Sequence, residues 1–243
     1  MEYDSVRDSL YAALEQHEEL WEWIKRLDDG YGTYEEVNKI AGFLGDEVAL
    51  AEYSEETFVA LVKASHEIIT MTGEVAQRNL NNAAGIGLKP LTRKYPEQRV
   101  NELVGELAGL DGDARKAELS RSVPTLMMGM VDDIVRYNMD FQAKAGLDPI
   151  IVRTWSGSYP SHDTKHTDWC HDLAGTYEYG KEPKNVYARH KGCRCKVEYF
   201  PNARAKGRIT ALSKGEVDVE SVLWNTRDET LEKRLARAKK NSL

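Results

Sequence analysis

IIVRTW (residues 150–155) and DTKHTDWCHDLAGTYEYGKEPKNVYARHKGCRCKVEYF (residues 163–200) decide the fold class of this 243-residue chain. IIVRTW and the terminal CKVEYF are short runs of β-branched and aromatic residues, the signature of strands. The polar, turn-rich stretch between them has little helical period. Before Pro149, helical spacing dominates. The sequence therefore predicts an α+β protein, mainly α: a helical N-terminal region (1–148), a small β-rich cysteine and histidine module resembling a zinc knuckle (149–201), and a basic C-terminal extension with a short helical tail (202–243).

Upstream, Leu10, Leu14, His17, Trp21 and Ile24 recur at three- and four-residue spacing, which predicts one helix from about Ser5 to Leu27. Thr33 followed by Glu36 makes a capping box for a second, short helix that ends at Gly45. Ser54, Glu55 and Glu56 open a longer helix lined by Phe58, Leu61, Val62, His66 and Ile69. Asn81, Asn82, Gly85, Gly87 and Pro90 break its period. Another helix fits Gln98 to Leu110, and a last one runs from Ala114 towards Phe141 with Pro124 kinking or restarting it. In the extension, a charged helix is expected from about Asp228 to Lys240.

The chain is 41% hydrophobic, enough for a core without a disulfide cage, and three cysteines are too few for a secreted disulfide scaffold. The first twenty residues carry acids throughout, unlike an apolar leader, and no apolar run approaches the roughly 20 residues of a membrane span. A soluble protein made in a reducing cytoplasm, with no membrane contact, is expected. The net charge of −7 is uneven: residues 1–60 hold 16 acids and 4 bases, residues 200–243 hold 10 bases and 6 acids. A basic tail of that kind suits nucleic acid or an acidic partner, and equally a solvated helix face.

All three cysteines and three of the six histidines fall within residues 163–200. Zinc takes four ligands in a tetrahedron, commonly two short-spaced pairs of thiolate and imidazole. His166 with Cys170 offers one pair, and His190, Cys193 and Cys195 in RHKGCRC offer the other. Gly192 permits the tight bend of a knuckle. Thiolate and imidazole together favour a structural zinc, with His162 and His171 as bystanders. Buried, metal-free cysteines are the plain alternative. A zinc deaminase is disfavoured, because the Cx2C pair is lacking. A nuclease-like site at His162, Asp163 and His166 is a further alternative, as is a zinc module that binds nucleic acid.

AGLDPIIVRT, DWCHDLAGTYEY and VYARHKGCRCKVEYFP together resemble the C-terminal region of minor capsid, or head morphogenesis, proteins of tailed bacteriophages of the phage Mu F-type, closest to versions in phages of Gram-positive bacteria. The resemblance covers about Val131 to Pro201 and implies a virion structural protein, not an enzyme, acting inside the phage head near portal and capsid. Those proteins would be its partners, with a contact to packaged DNA through the C-terminal tail. Cys170, His190, Cys193 and Cys195 match the family's ligand pattern. Thr167 stands where that pattern has a cysteine. Either the neighbouring His166 substitutes for it or the metal is lost and the fold kept. Effector domains fused to some family members do not fit in the roughly 40 residues after Pro201. Trp169 and Tyr177 read as aromatic cover for the module, and Gly175 as a turn residue. Arg153, Arg189 and Arg194 are candidates for partner carboxylates or DNA phosphates, and equally for plain surface pairing.

Overall fold

Two helices, not one, make the N-terminal apolar stripe. The computed structural model describes residues 3–156 and 168–201. Helix α1 spans Tyr3–Gln16 and α2 spans Glu18–Asp28, with His17 between them in extended conformation. Its ring nitrogen accepts the Leu20 N–H at 3.3 Å, and its ring packs edge-on against Phe43 at 4.4 Å. A histidine that caps a helix start keeps the hydrophobic spacing in phase across the break, so the expected single helix is corrected to a pair.

Helix α3 (Tyr34–Leu50) opens on the expected capping box of Thr33 and Glu36, but runs through Gly45 instead of stopping there. Helix α4 (Glu55–Ala84) opens on Ser54, continues past Asn81 and Asn82, and ends at Gly85, whose φ of 68° is left-handed. Helix α5 is Glu97–Ala108, and α6 is a continuous helix, Gly112–Lys144, with Pro124 inside it. The two misread breakers explain each other. A Cβ on Gly45 would lie 2.5 Å from the Pro124 Cα, so the glycine is there to let α3 and α6 touch backbone to backbone. A proline costs about 3 kcal/mol or more in a helix interior. Buried Val123, Met127, Val131 and Ile134 anchor α6 along that contact and offset the cost.

After α6, the strands β1 (Ile150–Thr154), β2 (Gly175–Glu178) and β3 (Lys196–Phe200) form an antiparallel sheet in the order β2-β1-β3, with a short helix α7 (Asp168–Asp172) before β2. In β1–β3, Ile151 faces Tyr199 and Arg153 faces Val197. The sequence reading lacks β2, whose four residues show no buried position. Ile151, Val197 and Tyr199 join the core of the helices, so the sheet's inner face lies on the bundle.

A buried chain of polar side chains fastens that face. Tyr34 donates to Gln77 at 2.8 Å, Gln77 and Gln142 both donate to Asn81 Oδ1 at 2.8 and 2.7 Å, and Tyr199 donates to Gln142. Asn81 in turn donates to the Leu88 carbonyl at 2.7 Å. Each buried polar group thus finds a partner, the condition for placing amides in a core.

Candidate metal centre

The module's candidate ligands come from three places that the sheet draws together. Helix α7 presents Cys170, and β3 begins directly after Cys195. Between β2 and β3, the turn His190–Cys193 closes through a Cys193 N–H to His190 carbonyl bond of 3.0 Å. Gly192 makes that turn possible, since its φ is 80°. The same turn docks on α6 near Pro124: the Gly192 N–H lies 2.9 Å from both the Arg121 carbonyl and the Thr125 hydroxyl. Lys191 adds ion pairs to Glu106 and Glu118, each at 2.7 Å.

Cys170, Cys193 and Cys195 are 1%, 1% and 2% exposed and form a cluster of their own, with Trp169 packed on it. The Cys170 sulfur lies 3.6 Å from Cys193 and 3.2 Å from Cys195. A tetrahedral zinc with bonds of about 2.3 Å would hold two sulfurs about 3.8 Å apart, so small outward shifts would admit an ion. Cys170, His190 and Cys193 present ligand atoms all within 4.8 Å of one another and could hold a metal. His190 is suitably prepared. Its Nδ1 lies 2.9 Å from the Lys191 carbonyl, which can only accept. A ring whose Nδ1 donates there can offer Nε2 to a metal, the usual arrangement of a metal-binding imidazole. Trp169 covers the ring edge-on at 5.8 Å.

Without an ion, the thiols share protons. Hydrogen bonds to Cys193 and Cys195, together with burial, push the Cys170 thiol well above the ordinary range. Hydrogen bonds from Cys170 and then Cys193 push Cys195 the other way, below the ordinary range. Three buried sulfurs drawn together are a donor set for a soft, thiolate-preferring metal.

Three arginines surround the module, and two of them, Arg153 and Arg189, are turned inward. Arg153 is 1% exposed and donates to the Val186 and Ala188 carbonyls and to the Cys170 sulfur at 3.1 Å. Arg189 makes a two-pronged pair with Asp132 at 2.5 and 2.8 Å and donates to the Cys195 carbonyl at 2.6 Å. Burial works against its charge, and the Asp132 carboxylate more than offsets that, raising its pKa. Arg194 pairs with Asp46 of α3. For Arg153 and Arg189 the expectation of partner carboxylates or DNA phosphates is corrected, because internal acids, carbonyls and sulfur occupy them, while Arg194 makes a surface pair. The structural signal for Arg153 was present in the sequence, since it lies two residues from Ile151 on the same strand face.

His171 stands apart, exposed and edge-on to Trp155 at 4.9 Å. His162, Asp163, His166 and Thr167 lie outside the described residues, as do the expected C-terminal helix and the rest of the basic extension. Tyr177 caps α7 by donating to the Leu173 carbonyl at 3.1 Å, and Gly175 is the first residue of β2 rather than a turn. Comparison with family models, with curated proteins and with solved structures yields no match. No helix among the described residues is long and apolar enough to cross a membrane.

Proposed function

We propose that this chain is a virion structural protein, a minor capsid or head morphogenesis protein that acts inside a phage head near portal and capsid through protein contacts. Zinc held by the cysteine and histidine cluster would be its structural staple. The virion assignment rests on the sequence resemblance carried by DWCHDLAGTYEY and VYARHKGCRCKVEYFP. The observation that most favours a structural role over a catalytic one is the burial of all three sulfurs. Catalytic zinc sites keep an open position for water or substrate, whereas structural sites close around the ion. Here the knuckle is fixed to α6 and α3 through Gly192, Lys191 and Arg194. A metal would therefore hold the sheet module against the long helices that supply surface for portal and capsid. Packaged DNA would be met by the basic extension, and that contact should weaken steeply with salt.

The decisive experiment is purification of assembled heads, followed by mass spectrometry of their minor components. Co-purification with portal protein is expected; consistent absence from particles refutes the assignment. Elemental analysis of protein prepared under reducing conditions without chelator should give about one zinc per chain, the content of one four-ligand site.

A further inference from the structure

We propose that Arg153 is the built-in counter-charge of the metal centre and thereby fixes its ligand set as three thiolates and one imidazole: Cys170, Cys193, Cys195 and His190. This inference rests on the metal-binding reading of the cluster and selects among the ligand sets that reading allows.

Arg153 lies on the inner face of β1, facing Gly175 on one side and Val197 on the other. Its guanidinium donates to the Val186 and Ala188 carbonyls and to Cys170, with the Cys193 sulfur at 3.9 Å. Among the described residues it makes no ion pair with a carboxylate. Asp132, close enough to feel its charge, gives both oxygens to Arg189. Asp132 and Arg189 cancel, which among the described residues leaves the positive charge of Arg153 buried beside the sulfurs. A buried charge without an opposite is strongly unfavourable.

The charge count then discriminates between ligand sets. A divalent ion with two thiolates and two neutral ligands is neutral and leaves Arg153 uncompensated. The same ion with three thiolates and a neutral imidazole carries one negative charge and cancels it. Replacing Cys195 by His166 would remove that balance. Nη2 of Arg153 also points at sulfur, where a guanidinium can only donate, and so favours the deprotonated thiol that a metal requires. On metal binding, the remaining thiol protons pass to solvent and the negative charge stays beside Arg153. Outer partners of this kind hold their ligands in place, and losing one typically costs ten- to a hundredfold in metal affinity.

The test uses full-length protein loaded with zinc, as wild type, Arg153→Lys and Arg153→Gln. X-ray absorption at the zinc edge should show three sulfurs at about 2.3 Å and one nitrogen at about 2.0–2.1 Å in the wild type. Chelator competition, started from the loaded folded protein, should show Arg153→Gln weakened about ten- to a hundredfold, with Arg153→Lys closer to wild type because it keeps the charge. A wild-type spectrum with two sulfurs overturns the proposal whatever the variants do, and so does an Arg153→Gln protein that binds zinc as tightly as wild type. Wild-type protein that takes up no zinc removes the metal reading itself, a result distinct from either.

Discussion

Replacing Gly45 by alanine should destabilise the protein, although alanine is the better helix former. A Cβ at this position would sit 2.5 Å from the Pro124 Cα and 3.1 Å from its N and Cβ. Carbon atoms in contact normally keep about 3.5–4.0 Å, so α3 and α6 must separate by about 1 Å where they are in closest contact. The obstacle is helix backbone, which cannot rotate away, and buried Ala41, Leu44 and Val48 on α3 would lose contact with Val123 and Met127 on α6. Overpacking of this kind costs about 1–3 kcal/mol, and a backbone clash belongs at the upper end. The Gly→Ala gain in helix propensity returns about 1 kcal/mol, leaving a net loss of about 2 kcal/mol. For a chain of this size each kcal/mol moves the melting temperature by about 2–4 °C, which gives a drop of about 4–8 °C. Gly105 is the matched control: it is helical and exposed, with nothing within 4 Å of its would-be Cβ. Gly105→Ala should gain about 1 kcal/mol. Parallel thermal and urea melts of the two variants decide the matter. If Gly45→Ala melts at or above the wild-type temperature, the backbone contact between α3 and α6 is wrong.

Asp132→Asn leaves Arg189 buried and charged without its partner and should cost about 3–5 kcal/mol, while the Asp132→Asn/Arg189→Met double variant should be less destabilised than the sum of the two singles; a urea double-mutant cycle reads both. Burial lowers the pKa of His66 below its ordinary 6.5, and its ring lies edge-on to Tyr95 at 5.5 Å. Below pH 6.5 the unfolded chain therefore takes up a proton that the folded chain resists, so His66 contributes stability above 6.5 that is lost as pH falls through its depressed folded value. In His66→Gln that part of the slope of stability against pH should vanish, and an unchanged slope would contradict the burial. Chelation should lower the melting temperature of the wild type but not of Cys193→Ser, in which a ligand is already missing; equal chelator responses would argue against a metal in the cluster.

Local chemistry made much of this fold legible. The Thr33 capping box, the Ser54 cap and the left-handed Gly85 act within a few residues of themselves, and the helices begin or end where those residues say. Gly45 and Pro124 misled for the opposite reason. Each alone reads as a breaker, and only their meeting across two helices distant in the chain shows that they are one packing device. His17 hid because a histidine on an apolar stripe does not interrupt its spacing, although its ring nitrogen can start a new helix. Strand β2 hid because GTYE has no buried alternate face to announce it. At the centre, Cys170, Cys193, Cys195 and His190 stood out through concentration alone. The role of Arg153 was masked by the habit of placing arginine at the surface, although its two-residue spacing from buried Ile151 on β1 marks the inner face.

The polar chain from Tyr34 to Tyr199 also acts as a proofreader. Were β3 to slip by one residue, Glu198 or Phe200 would arrive where Tyr199 now meets Gln142, and neither brings the phenolic hydroxyl that donates to that amide oxygen. The abandoned buried group would cost about 1–3 kcal/mol. Cys195 lies four residues before Tyr199 at the entrance to the same strand. The only alignment that satisfies Gln142 is thus the one that brings the Cys195 sulfur to Cys170, so side chains that never touch the cluster check its assembly from the far end of β3.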